Sequence, residues 1–268
     1  MWRYVNVNLF YTVSLSLGFA SLLQLLLWLH SVRTRNAVWV DVGWSLGMGF
    51  AALMLLPPVP PSGRSVLVAL LLGCWAFRLA LHLLRDRLLG GKPEDSRYVN
   101  LRAHWGVRAN FKFFFFFQAQ ALLVGIFVIP AWIAAKRSGP FPDVFDLLGV
   151  LTAVIAVVGE AIADRQLARF RADPANKGKV CASGLWHYSR HPNYFFEWIH
   201  WMAYVLLSIG SPLWAFSWLG PVLMYVFLRY LTGIPHTERQ SLRSRGEAYR
   251  VYQQTTSAFF PWTPRKPS

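Results

Sequence analysis

Acidic side chains are scarce in this chain: 12 Asp and Glu stand against 27 Lys and Arg, a formal net charge of +15 over 268 residues. Charged residues of both signs together reach only 15%, where a soluble domain carries about a quarter. Much of the surface is therefore expected to meet lipid. Cysteine is nearly absent; Cys74 lies in an apolar run and Cys181 in a basic loop, so no disulfide is expected. No Gly-x-Gly-x-x-Gly follows a strand-like run, which argues against a Rossmann site, and no metal site is expected. No repeat, heptad array or Pro/Ser/Gly-rich linker divides the chain. Residues 1–268 read as a single transmembrane domain. A cleavable signal is not expected either, because the first apolar run, Leu9 to His30, is too long for one and lacks a clear cleavage site.

What is present is apolar. The runs are Leu9–His30, Ala37–Leu56, Ser65–Leu84, Phe111–Ala135, Val144–Ala163, Asn193–Ile209 and Leu213–Ile234. Most approach the roughly 20 residues that cross a bilayer. This predicts an all-α polytopic protein of about seven transmembrane helices, with Asn193–Ile209 the weakest of them. Pro57, Pro58, Pro60 and Pro61 separate the second and third runs; Gly139, Pro140 and Pro142 separate the fourth and fifth; Gly210 and Pro212 separate the last two.

Most of the cations lie between these runs, as in cytoplasmic membrane loops, which argues against a nucleic-acid footprint. One set of alternate loops holds Arg33 and Arg35; Arg85, Arg87, Lys92, Arg97, Arg102, Arg108 and Lys112; Arg165, Arg169, Arg171, Lys177, Lys179 and Arg190; and Arg239, Arg243, Arg245, Arg250, Arg265 and Lys266. The other side holds only Arg3, Arg64, Lys136 and Arg137. The asymmetry predicts an N-terminus outside and a C-terminus in the cytoplasm, in a bacterial inner membrane. Phe113 to Phe117 reads as lipid-facing bulk or packing, with Lys112 and nearby tryptophans as interfacial anchors.

Ionisable residues within apolar runs are few: Asp41, Arg78, Glu160, Glu197 and Arg229, with Asp164 at a helix end. Such residues usually face the bundle interior or a wet cavity. An ion pair of Asp41 with Arg78 is one structural reading. Trp75, Arg78, His82 and Arg85 recur at steps of three and four, as do Asn193, Glu197 and Trp201 at steps of four. These stripes are expected to line a cavity open to the cytoplasm. The loop from Lys177 to Tyr194 adds Gly178 and Gly184, the cations Lys179 and Arg190, and the aromatic faces of Trp186, Tyr188 and Tyr194. With Arg169 and Arg171 just upstream, it suits a phosphate-bearing nucleotide; a solvated positive-inside loop is the plainer reading.

The segments Gly159-Glu-Ala-Ile-Ala-Asp-Arg-Gln-Leu167 and Gly184-Leu-Trp-His-Tyr-Ser-Arg-His-Pro-Asn-Tyr-Phe-Phe-Glu-Trp198 resemble the DUF1295 family, which belongs with the steroid 5-alpha-reductase-like membrane proteins. Asp41-Val-Gly-Trp44, Trp75-Ala-Phe-Arg78, Arg97-Tyr98 and Glu238-Arg-Gln-Ser-Leu242 extend the likeness over nearly the whole chain. The resemblance implies a seven-helix bundle whose later part, residues 111–265, holds NADPH. In the reductases an Asn-aromatic-x-x-Glu pattern contacts the cofactor, and it matches Asn193, Tyr194 and Glu197. An upstream aspartate matches Asp164, and a basic position matches Arg171. Trp186, Tyr188, Arg190 and His191 complete the expected cofactor-binding set. A reductase glutamate and tyrosine polarise the enone carbonyl; these positions fall near Asp41 and Trp75, which are expected to face each other.

The resulting reading is an NADPH-dependent reductase of an activated C=C bond in a lipidic substrate. Asp41 is the expected acid, Tyr98 the donor should the loop after the third run fold back, and Arg78 the cation beside Asp41. The Arg190-His-Pro192 element also resembles membrane methyltransferases that use S-adenosylmethionine, which is the alternative enzyme. A lipid-binding protein without a cofactor is the third reading.

Overall fold

The structure, a computed structural model, describes residues 2–57, 60–85 and 93–265. Arg87, Lys92, Lys266 and Pro58 lie outside the described residues, and so does the side chain of Arg3. The described elements are helical, in the order α1 (Trp2–Thr34), α2 (Trp39–Leu53), α3 (Gly63–Leu83), α4 (Ser96–Trp105), α5 (Ala109–Ala135), α6 (Val144–Ala172), α7 (Leu185–Tyr188), α8 (Pro192–Leu207), α9 (Leu219–Val226), α10 (Ile234–Arg245) and α11 (Glu247–Thr255).

Among the described residues four stretches are long and apolar enough to cross a membrane: Leu9–Thr34, Gly63–Leu83, Ser96–Ala135 and Val144–Ala172. The other three expected spans are shorter or broken. α2 has 15 residues and α8 has 16, so each reaches only about 22–24 Å at 1.5 Å per residue. The last run divides into a 3-10 turn at Trp214–Trp218, α9, and a π-helical turn at Phe227–Leu231. Proline and glycine punctuation explains the short elements: Pro57 lies just past α2, and Gly210 and Pro212 follow α8.

Two compact units emerge: Met1–Asp146 with Leu207–Leu219, and Leu147–Leu206 with Gly220–Ser268. In the first, α5 packs against α1, α2, α3 and α4. Close approach depends on small residues. A Cβ on Gly47 would meet Val124 Cγ2 at 2.9 Å, and one on Gly43 would meet Leu27 Cδ1 at 2.6 Å. Gly43, Gly47 and Ala51 thus form a small-residue seam that lets α2 sit on its neighbours. The phenylalanine run divides by helical period. Phe113 and Phe117 are buried in the core with Val38, Val40 and Tyr98, while Phe115 faces outward.

One end of this unit carries three of the four cations of the sparsely charged side, Arg64, Lys136 and Arg137, and each is bonded within the unit. Arg64 donates to both oxygens of Asp146 at 2.8 Å and to the carbonyl of Arg137 at 2.7 Å. Arg137 bonds Asp143 at 2.6 and 2.9 Å and Asp146 at 2.8 Å. The Lys136 ammonium donates to the carbonyls of Leu55 and Pro57. Hydrogen bonds from Arg137 outweigh burial and hold the Asp143 carboxyl below the usual range. At the opposite end Arg33, Arg35, Arg108 and Lys112 are exposed. Among the described residues the charges left open to solvent are therefore more one-sided than a count of residues shows. Reporter fusions after Gly63 and Gly139 should both read outside, since Arg64 binds the Pro140 carbonyl at the same end; a fusion after Ser268 should read cytoplasmic. A cytoplasmic signal at Gly139 would break this orientation.

Candidate functional site

In the second unit the motif loop is seated from both sides. The Trp186 indole N–H donates to the Ala163 carbonyl at 2.9 Å, and Gln166 Oε1 accepts from Leu185 N at 2.9 Å. These bonds fix α7 on α6. A Cβ on Gly159 would collide with the Phe196 ring, so glycine is what allows α8 this close to α6. From the other side the C-terminal tail lies along the motif. Ser189 Oγ donates to the Phe259 carbonyl at 2.9 Å, Arg190 N to Ser257 O at 2.8 Å, and Trp262 N to Tyr188 O at 2.9 Å. The Tyr252 hydroxyl donates to the carbonyl of Trp186.

Arg190 is the centre of this clamp. Its Nε donates to Glu238 Oε1 at 2.7 Å, and its Nη1 donates to the carbonyls of Gln253 at 2.9 Å and Thr256 at 2.5 Å. Gln253 donates to the other Glu238 oxygen at 2.8 Å. His191 Nε2 lies 3.4 Å from Glu238, and its ring stacks on Tyr194. Burial pushes Glu238 up, but the bonds from His191 and Arg190 and the Arg190 charge outweigh it and hold the carboxyl at about 2. Burial lowers His191, against the opposing pull of Glu238. Burial also pushes Tyr249 up to about 12, with the Glu238 charge adding to it.

Asn193 opens α8. Its Nδ2 donates to Asp164 Oδ1 at 3.2 Å and its Oδ1 accepts from Tyr194 N at 3.0 Å, which leaves one amide hydrogen uncommitted. The Tyr194 hydroxyl is 3.3 Å from Thr237 Oγ1. Glu197, one turn on, is buried, as is Glu160 on α6. The fold thus brings together Asp164, Arg190, His191, Asn193 and Tyr194. Asp164, Asn193 and Tyr194 are half-buried, and Arg171 and Tyr188 are exposed. Trp186 and His191 are buried, with Trp186 bonded to α6 and His191 against Glu238, so their contacts are with the protein itself.

Arg245 joins the basic loop from α10: its Nε donates to the Lys179 carbonyl at 2.8 Å. Burial pushes the nearby Cys181 thiol up, while the charges of Arg171 and Arg245 pull it down. Both arginines therefore lie close to one buried thiol. Asp173 is occupied in capping Ala175 N at 2.9 Å. Arg245 was not legible as a site residue, because it lies far along the chain in a segment rich in arginine.

The first unit carries a separate cluster. Asp41 lies in the first turn of α2 rather than deep in a span. It accepts from the Tyr98 hydroxyl at 2.7 Å and from Arg97 Nη2 at 3.0 Å. The expected Asp41–Arg78 pair is thereby corrected: Arg97 is the counter-ion, and Arg78 is engaged elsewhere. The cause is α4, which folds back on its buried Tyr98 and places Arg97 against α2. Trp75 meets Trp44 edge to face at 5.6 Å. The third-helix stripe runs outward, from buried Trp75 through half-buried Arg78 to exposed His82 and Arg85.

The second unit presents Arg171, Lys177 and Lys179 as exposed cations, Tyr188 as an exposed ring and Asn193 as a half-buried amide. Among known proteins the chain is similar to the uncharacterized protein C594.04c of Schizosaccharomyces pombe, at 29% identity over 96% of this chain and 81% of the yeast protein. No solved structure matches it. Residues 27–256 match the family described as "Protein of unknown function (DUF1295)". With most of its length matched in this way, the chain belongs to the DUF1295 family.

Proposed function

We propose that this protein is a membrane-embedded reductase that uses NADPH to saturate an activated C=C bond in a lipidic substrate. The observation that carries the reading is Asn193, fixed at the start of α8 by Asp164 and flanked by a loop of exposed cations. An amide that keeps one donor and one lone pair can match a carboxamide. Arg171, Lys179 and Arg245 supply charge for phosphates, which S-adenosylmethionine lacks. Arg190 and His191, on which the methyltransferase likeness rests, are already engaged with Glu238. The kinship of DUF1295 to the steroid reductases supports an enzyme, with the reductase chemistry as its expected form.

When bound, NADPH supplies a hydride for the β-carbon of an enone. The chain's own part is to hold the cofactor and to stabilise enolate charge at the carbonyl oxygen. Asp41 and Tyr98, the acid and the donor that the sequence suggests, are joined to each other within the first unit at 2.7 Å, with Arg97 beside the carboxylate at 3.0 Å.

The binding half is tested by NADPH titration of the detergent-purified protein. Asn193→Ala and Glu197→Ala should each weaken binding about tenfold, the scale of one lost hydrogen bond to a buried polar group, with the helical content unchanged. Unchanged affinity in both variants removes them from the site. Retention of an S-adenosyl compound in place of NADP favours the methyltransferase.

A further inference from the structure

Cations at the Ser96 end of the first unit fall into two sets. Arg97 is matched by Asp41 at 3.0 Å and Asp95 at 3.2 Å, and Arg102 by Glu94 at 3.0 Å. Arg108 and Lys112 have no carboxylate partner among the described residues, although both are exposed and one helical turn apart. The Lys112 ammonium lies 5.8 Å from the centre of the Trp105 ring. Like charges at this spacing repel unless an anion sits between them.

The same stretch presents an apolar ridge at the same four-residue step. Val107 is 104% exposed, Phe111 65% and Phe115 57%, and Leu122 continues it at 53%. Phe113 and Phe117, from the same run, are buried. The ridge is therefore a feature of this face and not of the phenylalanine run as a whole. α5 belongs to a stretch long and apolar enough to cross a membrane. A tryptophan and a lysine where such a helix enters are the usual markers of headgroup depth.

We propose that Arg108 and Lys112 bind the phosphate of an anionic phospholipid, whose acyl chain lies along Phe111 and Phe115. The charges favour an anionic lipid over phosphatidylcholine, whose own ammonium already accompanies its phosphate. The ridge favours a lipid over a free anion, for which exposed phenylalanines beside the cations do nothing. Arg97 and Arg102 take no part, because each is already paired with a carboxylate.

The test titrates dioleoyl phosphatidylglycerol or dioleoyl phosphatidylcholine into the full chain in detergent and counts bound lipid by native mass spectrometry. Phosphatidylglycerol should bind more tightly. Arg108→Gln with Lys112→Gln should weaken it about thirtyfold, the expectation for two cations at an anionic surface. Arg33→Gln with Arg35→Gln removes equal charge at the same end and should change little. The exchange Arg108→Lys with Lys112→Arg should keep the binding and shows that loss in the glutamine pair is not misfolding. Equal affinity for the two lipids, or equal loss in the Arg33/Arg35 pair, overturns the site. Displacement of the lipid by soluble glycerol phosphate at comparable concentration overturns the lipid assignment in favour of a free-anion site.

Discussion

Asp146→Asn is expected to lower the stability of the protein by about 3–5 kcal/mol, the scale of breaking a buried ion pair from one side. Asp146 is 1% exposed and accepts from Arg64 twice and from Arg137 once, all at 2.8 Å, and from the Asp143 backbone at 3.0 Å. Asparagine keeps one acceptor but turns an N–H₂ group toward guanidinium donors. Arg64 and Arg137, at 3% and 4% side-chain exposure, are then left with Asp143 alone as counter-charge. Chemical unfolding in detergent measures the loss. Adding Arg64→Met should recover part of it, because the penalty lies in the unmatched charge and not in the missing contact. A loss below about 1 kcal/mol, the value of a solvated pair, would show that water reaches the cluster.

Glu238→Gln should cost about 1–2 kcal/mol at neutral pH: the folded value of about 2 lies well below the ordinary 4.5, and solvent screening of this part-exposed carboxylate reduces what that difference contributes. The folded value is the depressed one, so the contribution is complete above pH 4.5 and drains away as pH falls toward 2. The gap between wild type and variant should therefore be flat through neutral pH and close in acid. A gap that stayed constant to pH 2 would falsify the assignment of the effect to the Glu238 charge. Loss of the clamp should also free the tail, since Arg190 holds the carbonyls of Gln253 and Thr256. Trypsin should then cut at Arg250 and Arg265 faster in the variant, before any change in the first unit.

Much of the candidate site was legible because its residues are neighbours in the chain. Ser189 to Glu197 fall within one loop and one helix start, so spacing alone placed Asn193 and Glu197 on one face. Asp164 was legible as a helix-end acid, and the structure sets it at 3.2 Å from Asn193. The roles within the loop were not legible. Arg190 and Arg171 look alike as residue types, yet Arg190 is closed around Glu238 while Arg171 is exposed. Carboxylates after Asp173 number only three, Glu197, Glu238 and Glu247, so a buried arginine there had few partners to choose from. That scarcity was the available signal for Glu238. Likewise α4 announces itself through Asp95 as its cap and through Tyr98, Leu101 and Trp105 at helical spacing.

The amino-acid order by itself determined the all-helical membrane class, the positions of the long apolar stretches and the lopsided cation distribution. Each of these is local: hydropathy over about 20 residues decides what can enter a bilayer, and loop charge decides its side. Tertiary structure alone decided which charges meet. Asp41 found Arg97 and Tyr98 instead of Arg78 because α4 folded back across 56 residues of chain, and Arg190 found Glu238 across 48. Buried ions are held in place by whichever opposite charge packing brings within about 3 Å, and that distance belongs to the packed helices rather than to any stretch of sequence.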